Sequence, residues 1–463
     1  MSEQTPESIG FNQLSLAPAL LSQLDDIGYH SMTPVQALSL PVTLANTDAV
    51  VQASTGSGKT TAFALTLLNK LDVKNFSPQA LVLCPTRELA HQVGDEIRRL
   101  AKGMANVKLL SLCGGEPARV QINSLASGAH ILVGTPGRVL DHLQQQHLEL
   151  NALTTLVLDE ADRMLEMGFQ DSLNAIVEQL PRARQTLLFS ATYPDNIAAL
   201  ARRVTHRSVT INALQQQTRP DIEQRFYSLT TEADADVAVM ALLSHHRPQN
   251  CLVFCNTKKQ VNAIYDELKA CKFSVLALHG ELEQKDRDQA IVQFSNASAR
   301  VLVATDVAAR GLDIAELDLV INVAMAHDTD THTHRIGRTG RAGHKGLAIT
   351  LVTAQDDYKL RLLEDHLTAP ITLMPLPELS MGKPLRANMA TLQISGGKKD
   401  KLRPGDIVGA LTKDNVLQAT DIGRIKVAST FAFVAVNTAL ASQALELIAN
   451  NKIKGRRFRA KRL

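Results

Sequence analysis

The sequence predicts an α/β protein: two parallel-sheet domains followed by a small α+β domain. Three observations carry this expectation. Short apolar, β-branched runs alternate with helical stretches through most of the chain, the pattern of parallel strands joined by helical crossovers. Pro370, Pro375, Pro377, Gly382 and Pro384 then break the alternation. Beyond them the order becomes β-α-β-β-α-β, which suits an RNA-recognition fold. A length of 463 residues agrees with about three domains. We place them at residues 1–208, 222–367 and 386–463, with connectors at 209–221 and 368–385.

In the first domain, Leu14 to Ile27 has helical spacing, and a loop from Gly28 leads to Gln36. A strand over Asp48 to Ala53 runs into Ser54-Thr55-Gly56-Ser57-Gly58-Lys59-Thr60, and a helix follows over Ala62 to Leu71. Strand, glycine-rich loop and helix is the setting in which bare N–H groups face phosphates. In that setting Lys59 reaches the outer phosphates and the Thr60 hydroxyl ligates magnesium. Ala53 stands where the general phosphate-loop pattern has its first glycine.

Further strands are expected at 80–84, 108–112, 130–134, 155–159 and 185–190. Asp159-Glu160-Ala161-Asp162 leaves the carboxyl end of one of them, the edge where open α/β sheets bind ligands. Three acids in four positions repel unless a cation sits among them, and a magnesium ion carrying a nucleotide meets that need. Alone, the tetrapeptide reads equally as a solvated acidic turn. Likewise Pro85 to Ala90, Gly114-Gly115, Thr135 to Arg138 and Ser190 to Thr192 are singly no more than caps and turns.

As a set, these segments closely resemble the DEAD-box ATP-dependent RNA helicases, in which Ala53 is the usual residue. The resemblance implies two RecA-like domains. It also implies an adenine site in which Phe11 stacks and Gln36 reads the base edge, its amide donating and accepting at once and so selecting ATP. The second domain, with strands expected at 224–229, 251–255, 274–278, 301–305, 317–323 and 346–352, has no phosphate loop. Its Asn256-Thr257, His279-Gly280, Gln284 to Arg287, Ala309 to Ile314 and His334 to Arg341 resemble the family's second-domain motifs.

Arg338 and Arg341, three apart, share a face if that stretch is helical, and no acid lies near them in sequence. Delivered to a γ-phosphate held by the first domain they act as arginine fingers, a role worth ~10³ to 10⁵ in rate. The resemblance assigns Asp159 with Thr60 to Mg2+, and Glu160 to orienting and deprotonating water. It assigns Gly311 and Asp313 to the nucleotide, Asp313 holding the ribose hydroxyls. Asp162 with Ser190 and Thr192 would couple hydrolysis to strand separation. RNA contacts are implied for Arg87, Gly115, Thr135, Arg138, Arg287 and Thr305, through phosphates and 2′-hydroxyls rather than bases. Duplex opening would be local and non-processive.

Charge sets the last segment apart. Residues 386–463 hold fifteen Lys or Arg against five acids, a local +10; with +3 overall, residues 1–385 carry −7. A basic end on a mildly acidic body points to a nucleic-acid-binding module. Strands are expected at 389–394, 423–427, 430–436 and 456–461, with helices at 404–411 and 439–449. Phe431 and Phe433 alternate onto one face, as the stacking aromatics of an RNA-recognition motif do, or as two ordinary phenylalanines of an α+β domain. Gln393 occupies the aromatic place on the first strand. The other candidate surface is charged: Lys398, Lys399, Lys401 and Arg403, and the acid-free tail of Lys452, Lys454, Arg456, Arg457, Arg459, Lys461 and Arg462.

Gly396 to Ile407, Asp421 to Gly423 and Ile453 to Gly455 resemble the C-terminal domain of a bacterial branch of the same family. That resemblance implies a 23S rRNA hairpin as target and pre-50S ribosomal particles as partners, with ATP and Mg2+ as cofactors and a monomer as the acting form. A general cold-shock or RNA-decay helicase is the alternative, and a non-catalytic ATP-dependent RNA clamp is one of another class. Glu160 with Arg338 and Arg341 argues against the clamp, which has no use for them.

No apolar run approaches the ~20 residues that cross a bilayer, and the first ten residues are polar with two acids and no basic stretch. The expectation is a cytoplasmic protein without a membrane role. Cys84, Cys113, Cys251 and Cys255 lie in apolar strand-like runs and Cys271 outside them, which reads as buried free thiols rather than a metal site.

Overall fold

The computed structural model describes residues 9–54, 56–214, 221–309, 317–340, 345–367, 369–378, 384–413 and 416–463. It divides into two compact units, Met1–Arg219 and Pro220–Leu463. The first unit is built on seven parallel strands, β1 (Ala49–Gln52), β2 (Ala80–Leu83), β3 (Leu109–Leu112), β4 (Ile131–Gly134), β5 (Thr155–Leu158), β6 (Gln185–Ser190) and β7 (Val209–Asn212). Their order is β3-β4-β2-β5-β6-β1-β7.

Side chains alternate across this sheet, and both faces are dry. Val50, Leu81, Leu132, Leu156 and Leu188 pack to one side. Val51, Val82, Val133, Val157 and Phe189 pack to the other. Burial on both faces is why the strands read as unbroken apolar runs rather than alternating ones. β7 departs from that rule: Val209, Thr210 and Asn212 are exposed and only Ile211 is buried. It lies at the sheet edge beside β1, where the sequence predicts a polar connector.

Parallel register levels the carboxyl ends of the strands. Leu83 pairs with both Gly134 and Leu158, and Gln52 with Ser190. One sheet edge therefore has two halves. Loops after β1, β5 and β6 carry the phosphate loop, the acidic tetrapeptide and Ser190 to Thr192. Loops after β2, β3 and β4 carry Arg87, Gly115 and Thr135.

The second unit contains another seven-stranded parallel sheet. Its strands are β8 (Ile222–Ser228), β9 (Cys251–Cys255), β10 (Val275–Leu278), β11 (Val301–Thr305), β12 (Leu319–Asn322), β13 (Gly346–Val352) and β14 (Leu373–Met374), in the order β10-β11-β9-β12-β13-β8-β14. The short β14 pairs with β8 inside the stretch expected to be only a connector. Leu385, also placed there, is buried in this sheet's core.

The same unit holds a four-stranded antiparallel sheet: β15 (Met389–Ile394), β16 (Ile422–Val427), β17 (Ala432–Asn437) and β18 (Ala460–Arg462), ordered β16-β17-β15-β18. Helices Pro404–Thr412 and Ala441–Asn450 cover one face, burying Leu392, Ile407, Val434 and Ile448. The opposite face meets the parallel-sheet part through a polar seam. The Thr391 hydroxyl lies 2.7 Å from that of Ser298, Asn296 Nδ2 is 3.4 Å from Thr391 Oγ1, and Arg424 Nη1 donates to the Ser295 carbonyl at 3.3 Å. Ser274 fixes the approach, accepting from Ala387 N and donating its own N–H to the Leu385 carbonyl.

Candidate nucleotide and RNA sites

The phosphate loop is shaped by two left-handed glycines, Gly56 (φ 78°) and Gly58 (φ 95°). A Cβ on Gly58 would lie 2.6 Å from Gln36 Nε2, so any side chain there meets both backbone strain and a clash. Helix Lys59–Asn69 starts directly after it, rather than at Ala62 as the sequence predicts. Its first N–H groups and positive dipole end thus face the loop. Lys59 is buried, its Nζ donating to the Ala53 carbonyl at 3.0 Å. Ser57 Oγ donates to the Ser54 carbonyl at 2.7 Å and tightens the same turn.

Gln36 caps its own helix by accepting from Thr33 N at 2.9 Å, and its Nε2 donates to the Gly58 carbonyl at 3.2 Å. Each amide atom retains one further bonding position for a base edge. Phe11 is buried in the core cluster that also holds Phe63 and Phe189. Thr55, Gly311, Asp313 and Arg341 lie outside the described residues.

Asp159 and Glu160 are nearly buried where β5 ends. Glu160 adopts a left-handed conformation (φ 51°, ψ 54°) and opens helix Ala161–Glu166. For a non-glycine residue that is an uncommon state, held here by the packing around it. Burial pushes the Asp159 carboxyl up to about 7; Lys59 opposes the shift, and Glu160 and Asp162 add to it. A buried carboxylate among like charges, at the sheet edge that also carries the phosphate loop, fits a hard divalent cation. Because a metal takes the ionised form, acid should weaken the site. Below pH 7 the Mg2+ requirement for nucleotide binding should rise about tenfold per pH unit, and above pH 8 it should level off. Fluorescent-ADP titrations at pH 6, 7 and 8 check this, with Asp159→Asn supplying the contribution of the phosphates. Equal Mg2+ requirements at pH 6 and 8 would contradict it.

Asp162 joins β5 to β6. Its Oδ2 accepts from Ala191 N and Thr192 N, both at 3.0 Å, and from Thr192 Oγ1 at 3.1 Å. The Ser190 hydroxyl is buried without a hydrogen-bond partner, so the link runs through Thr192 and backbone rather than through both hydroxyls.

The other half of the edge brings Arg87, Gly115, Thr135 and Arg138 together. Thr86 caps helix Arg87–Leu100 by accepting from Leu89 N, which sets Arg87 at the helix start. The Arg87 guanidinium lies against Gly114 and Gly115; a Cβ on Gly115 would fall 1.8 Å from Arg87 Nη1. Arg138 Nη2 donates to the Glu116 carbonyl at 3.4 Å, and Thr135 begins the helix that carries Arg138. Guanidiniums and loop N–H groups at one edge suit a phosphate backbone.

In the second unit, helix Thr329–Ile336 stops at Gly337, so Arg338 lies beyond its end. Around Arg338 the chain is not helical: Leu317 and Thr339 pair there as an isolated bridge. Sequence reasoning also passes over Arg335. It is fully buried, bonded twice to Asp306 at 2.7 Å and further to Asn256 Oδ1 and the Ala324 carbonyl. It thereby ties the ends of β9, β11 and β12 and anchors the segment leading to Arg338. Its signal in the sequence is that of a third arginine in a motif whose other two have assigned roles. Thr305 ends β11, and Arg287 lies in helix Gln284–Ser295, which follows the neighbouring β10.

On the antiparallel sheet, Thr391, Gln393 and Phe433 are buried, whereas Phe431 is 42% exposed just before β17. The two basic clusters, far apart in sequence, form one patch. Lys454 Nζ donates to the Lys401 carbonyl at 2.8 Å and pairs with Asp406 at 3.0 Å, and Arg456 lies 3.6 Å from Asp400. Lys398, Lys399, Lys452 and Arg457 are exposed around it. Gly396 makes the junction possible, since a Cβ there would lie 2.3 Å from the Phe458 ring.

Residues 33–200 match the DEAD/DEAH box helicase family, 234–343 the helicase conserved C-terminal domain and 391–462 the DbpA RNA binding domain. The chain is 51% identical over 448 residues to the ATP-dependent RNA helicase DbpA of Escherichia coli K12, spanning 97% of this chain and 98% of that protein. It is 35% identical over 473 residues to the protein of the same name from Bacillus subtilis 168, again spanning 97% and 98%. Among solved structures, S. cerevisiae Dbp5 bound to RNA and ADP BeF3 is similar, with a TM-score of 0.72 and 31% identity over 80% of this chain and 95% of that one. No helix among the described residues is long and apolar enough to cross a membrane.

Proposed function

The chain belongs to the DbpA-type DEAD-box ATP-dependent RNA helicases, and from that premise we propose that it opens short duplexes in 23S rRNA of pre-50S particles, acting as a cytoplasmic monomer. The observation that supports this most is the single basic patch at one end of an otherwise acidic chain, made of Lys398, Lys399, Lys452, Lys454 and Arg457.

ATP binds against the first sheet edge. Phe11 and Gln36 take the adenine, and the Ser54 to Thr60 loop and Lys59 cradle the phosphates. Mg2+, held by Asp159 and Thr60, neutralises phosphate charge when bound. Glu160 orients the attacking water and takes its proton. Gly311 and Asp313 complete nucleotide binding, and Arg338 with Arg341 supplies the positive charge that the transferring phosphoryl group needs. Thr192 and Asp162 pass the change in the nucleotide to the edge that holds RNA. There Arg87, Gly115, Thr135 and Arg138, with Arg287 and Thr305 of the second unit, grip the backbone. Contacts of that kind carry little base information. Target choice then falls to the C-terminal patch. Counterion release lets it engage phosphates independently of ATP.

The burial of Phe433 and Gln393 favours binding through the basic patch over stacking on the sheet. Lys454 braces the Lys401 turn, so Lys398, Lys452 and Arg457 are the residues to neutralise without disturbing the patch. Their triple alanine variant should bind a 23S rRNA hairpin at least about tenfold more weakly. Its log–log salt slope should flatten by about 0.7 to 0.9 for each phosphate no longer engaged. Phe431→Ala should cost less than the removal of one stacked base, which is worth about 1 to 3 kcal/mol. Fluorescence anisotropy across a salt series reads both variants. A large loss in Phe431→Ala with an unchanged triple variant would return the binding site to the sheet.

A further inference from the structure

Beneath the RNA half of the first sheet edge lies a buried polar pair that nucleotide chemistry does not use. Gln121, in helix Ala118–Ala126, and His142, in helix Pro136–Gln144, are each 1% exposed. Gln121 Nε2 donates to the Cys113 carbonyl at 2.8 Å and lies 3.3 Å from Glu116 Oε2. With its amide nitrogen so engaged, Gln121 Oε1 must accept, and its partner at 2.8 Å is His142 Nε2. His142 Nε2 is therefore the donor of that bond, and its Nδ1 is buried without a partner.

Cys113 directly precedes Gly114 and Gly115, and His142 stands on the helix that begins at Thr135 and carries Arg138. The chain from carbonyl through amide to imidazole thus fixes one RNA-contacting loop to the element bearing two other contacts. Gly115 is held at φ 78° under the Arg87 guanidinium and has no side chain to set its position. The carbonyl before it is the natural place to hold the loop. Glu116, on the far side of the glycines, is tied to the same amide and through its carbonyl to Arg138.

We propose that Gln121 and His142 are positioning residues for RNA, a buried relay that holds the Gly114–Gly115 loop in register with Thr135 and Arg138. Neither residue touches RNA. An apolar pair of the same shape would fill the space equally well but would leave the Cys113 carbonyl without a donor and the loop free to shift. The proposal rests on the RNA-contact reading given above.

Three variants of the full chain test it. Gln121→Met and His142→Phe keep the volume and remove the bonding. His142→Gln keeps an N–H donor near the position of Nε2. RNA-stimulated ATPase is measured against RNA concentration and against ATP concentration, with thermal unfolding alongside. The first two variants should raise the RNA concentration for half-maximal stimulation about tenfold, equivalent to about 1.4 kcal/mol. The ATP half-saturation and the rate at saturating RNA should hold, and His142→Gln should stay close to wild type. Should His142→Phe fail to fold, Gln121→Met reads the same bond. An unchanged RNA half-saturation, or equal shifts for RNA and ATP with a lowered melting temperature, would overturn the relay. Arg138→Ala separates the two readings. If it too leaves the RNA half-saturation unchanged, the RNA-contact assignment itself fails; if it alone raises it, only the relay fails.

Discussion

Glu160→Gln is expected to lower RNA-stimulated ATP turnover by about 10² to 10⁴, the usual worth of a positioned general base. ATP and RNA binding should stay near wild type. Glutamine has the shape of glutamate and can adopt the same left-handed backbone at the start of helix Ala161–Glu166. The substitution also removes one of the negative charges that raise the Asp159 carboxyl. Lys59→Ala provides the contrast: it removes a cation buried beside the phosphate loop and should weaken nucleotide binding itself. Single-turnover hydrolysis and fluorescent-nucleotide binding, measured on both variants, distinguish chemistry from affinity. Hydrolysis at the wild-type rate in Glu160→Gln would remove this acid from the reaction.

Arg338→Ala should depress hydrolysis by ~10³ to 10⁵ while leaving the ATP affinity of the first unit unchanged, the signature of an arginine finger. The Arg338 backbone is pinned by its own N–H to the Arg335 carbonyl and by Leu317 N to its carbonyl, neither of which involves the side chain. Arg335 and Asp306 would still anchor the segment. Arg335→Ala is different in kind. It would strand a carboxylate and should destabilise the second unit by about 3 to 5 kcal/mol. A lost rate with unchanged ATP affinity for Arg338→Ala, against a lowered melting temperature for Arg335→Ala, separates the two roles.

What the sequence discloses follows from periodicity and local chemistry. Strands buried on both faces, such as Leu81 to Leu83 and Leu156 to Leu158, stand out as apolar runs, and parallel pairing forces the loops after them onto one edge. The acidic tetrapeptide, the phosphate loop and Thr192 are therefore legible as neighbours from the sequence alone. What stays hidden depends on contacts between distant residues. Arg335 meets Asp306 across 29 positions and Gln121 meets His142 across 21, with no local pattern to mark either pair. β7 exposes three of its four residues, so it lacks the apolar run that identifies a strand. Whether the stretch at Arg338 is helical is open in the sequence, and Gly337 ends the helix before it. The antiparallel sheet is anticipated by the sequence, but not the meeting of Thr391 with Asn296 and Ser298, because the first strand reads the same whether its polar face is wet or covered.

That seam also fixes where the basic C-terminal domain can be removed. Leu385 belongs to the core of the second parallel sheet and Ala387 bonds to Ser274, so a chain ending at Asn388 keeps both. The decisive measurement is RNA-stimulated ATPase of the intact chain and of this shortened chain. Each is titrated with a 23S rRNA fragment and with unrelated RNA of equal length. The intact protein should reach half-maximal stimulation at least about tenfold earlier with the ribosomal RNA. The shortened protein should hydrolyse ATP weakly and alike with both. Equal stimulation of the intact chain by the two RNAs, or undiminished discrimination by the shortened one, would contradict targeting by the C-terminal patch.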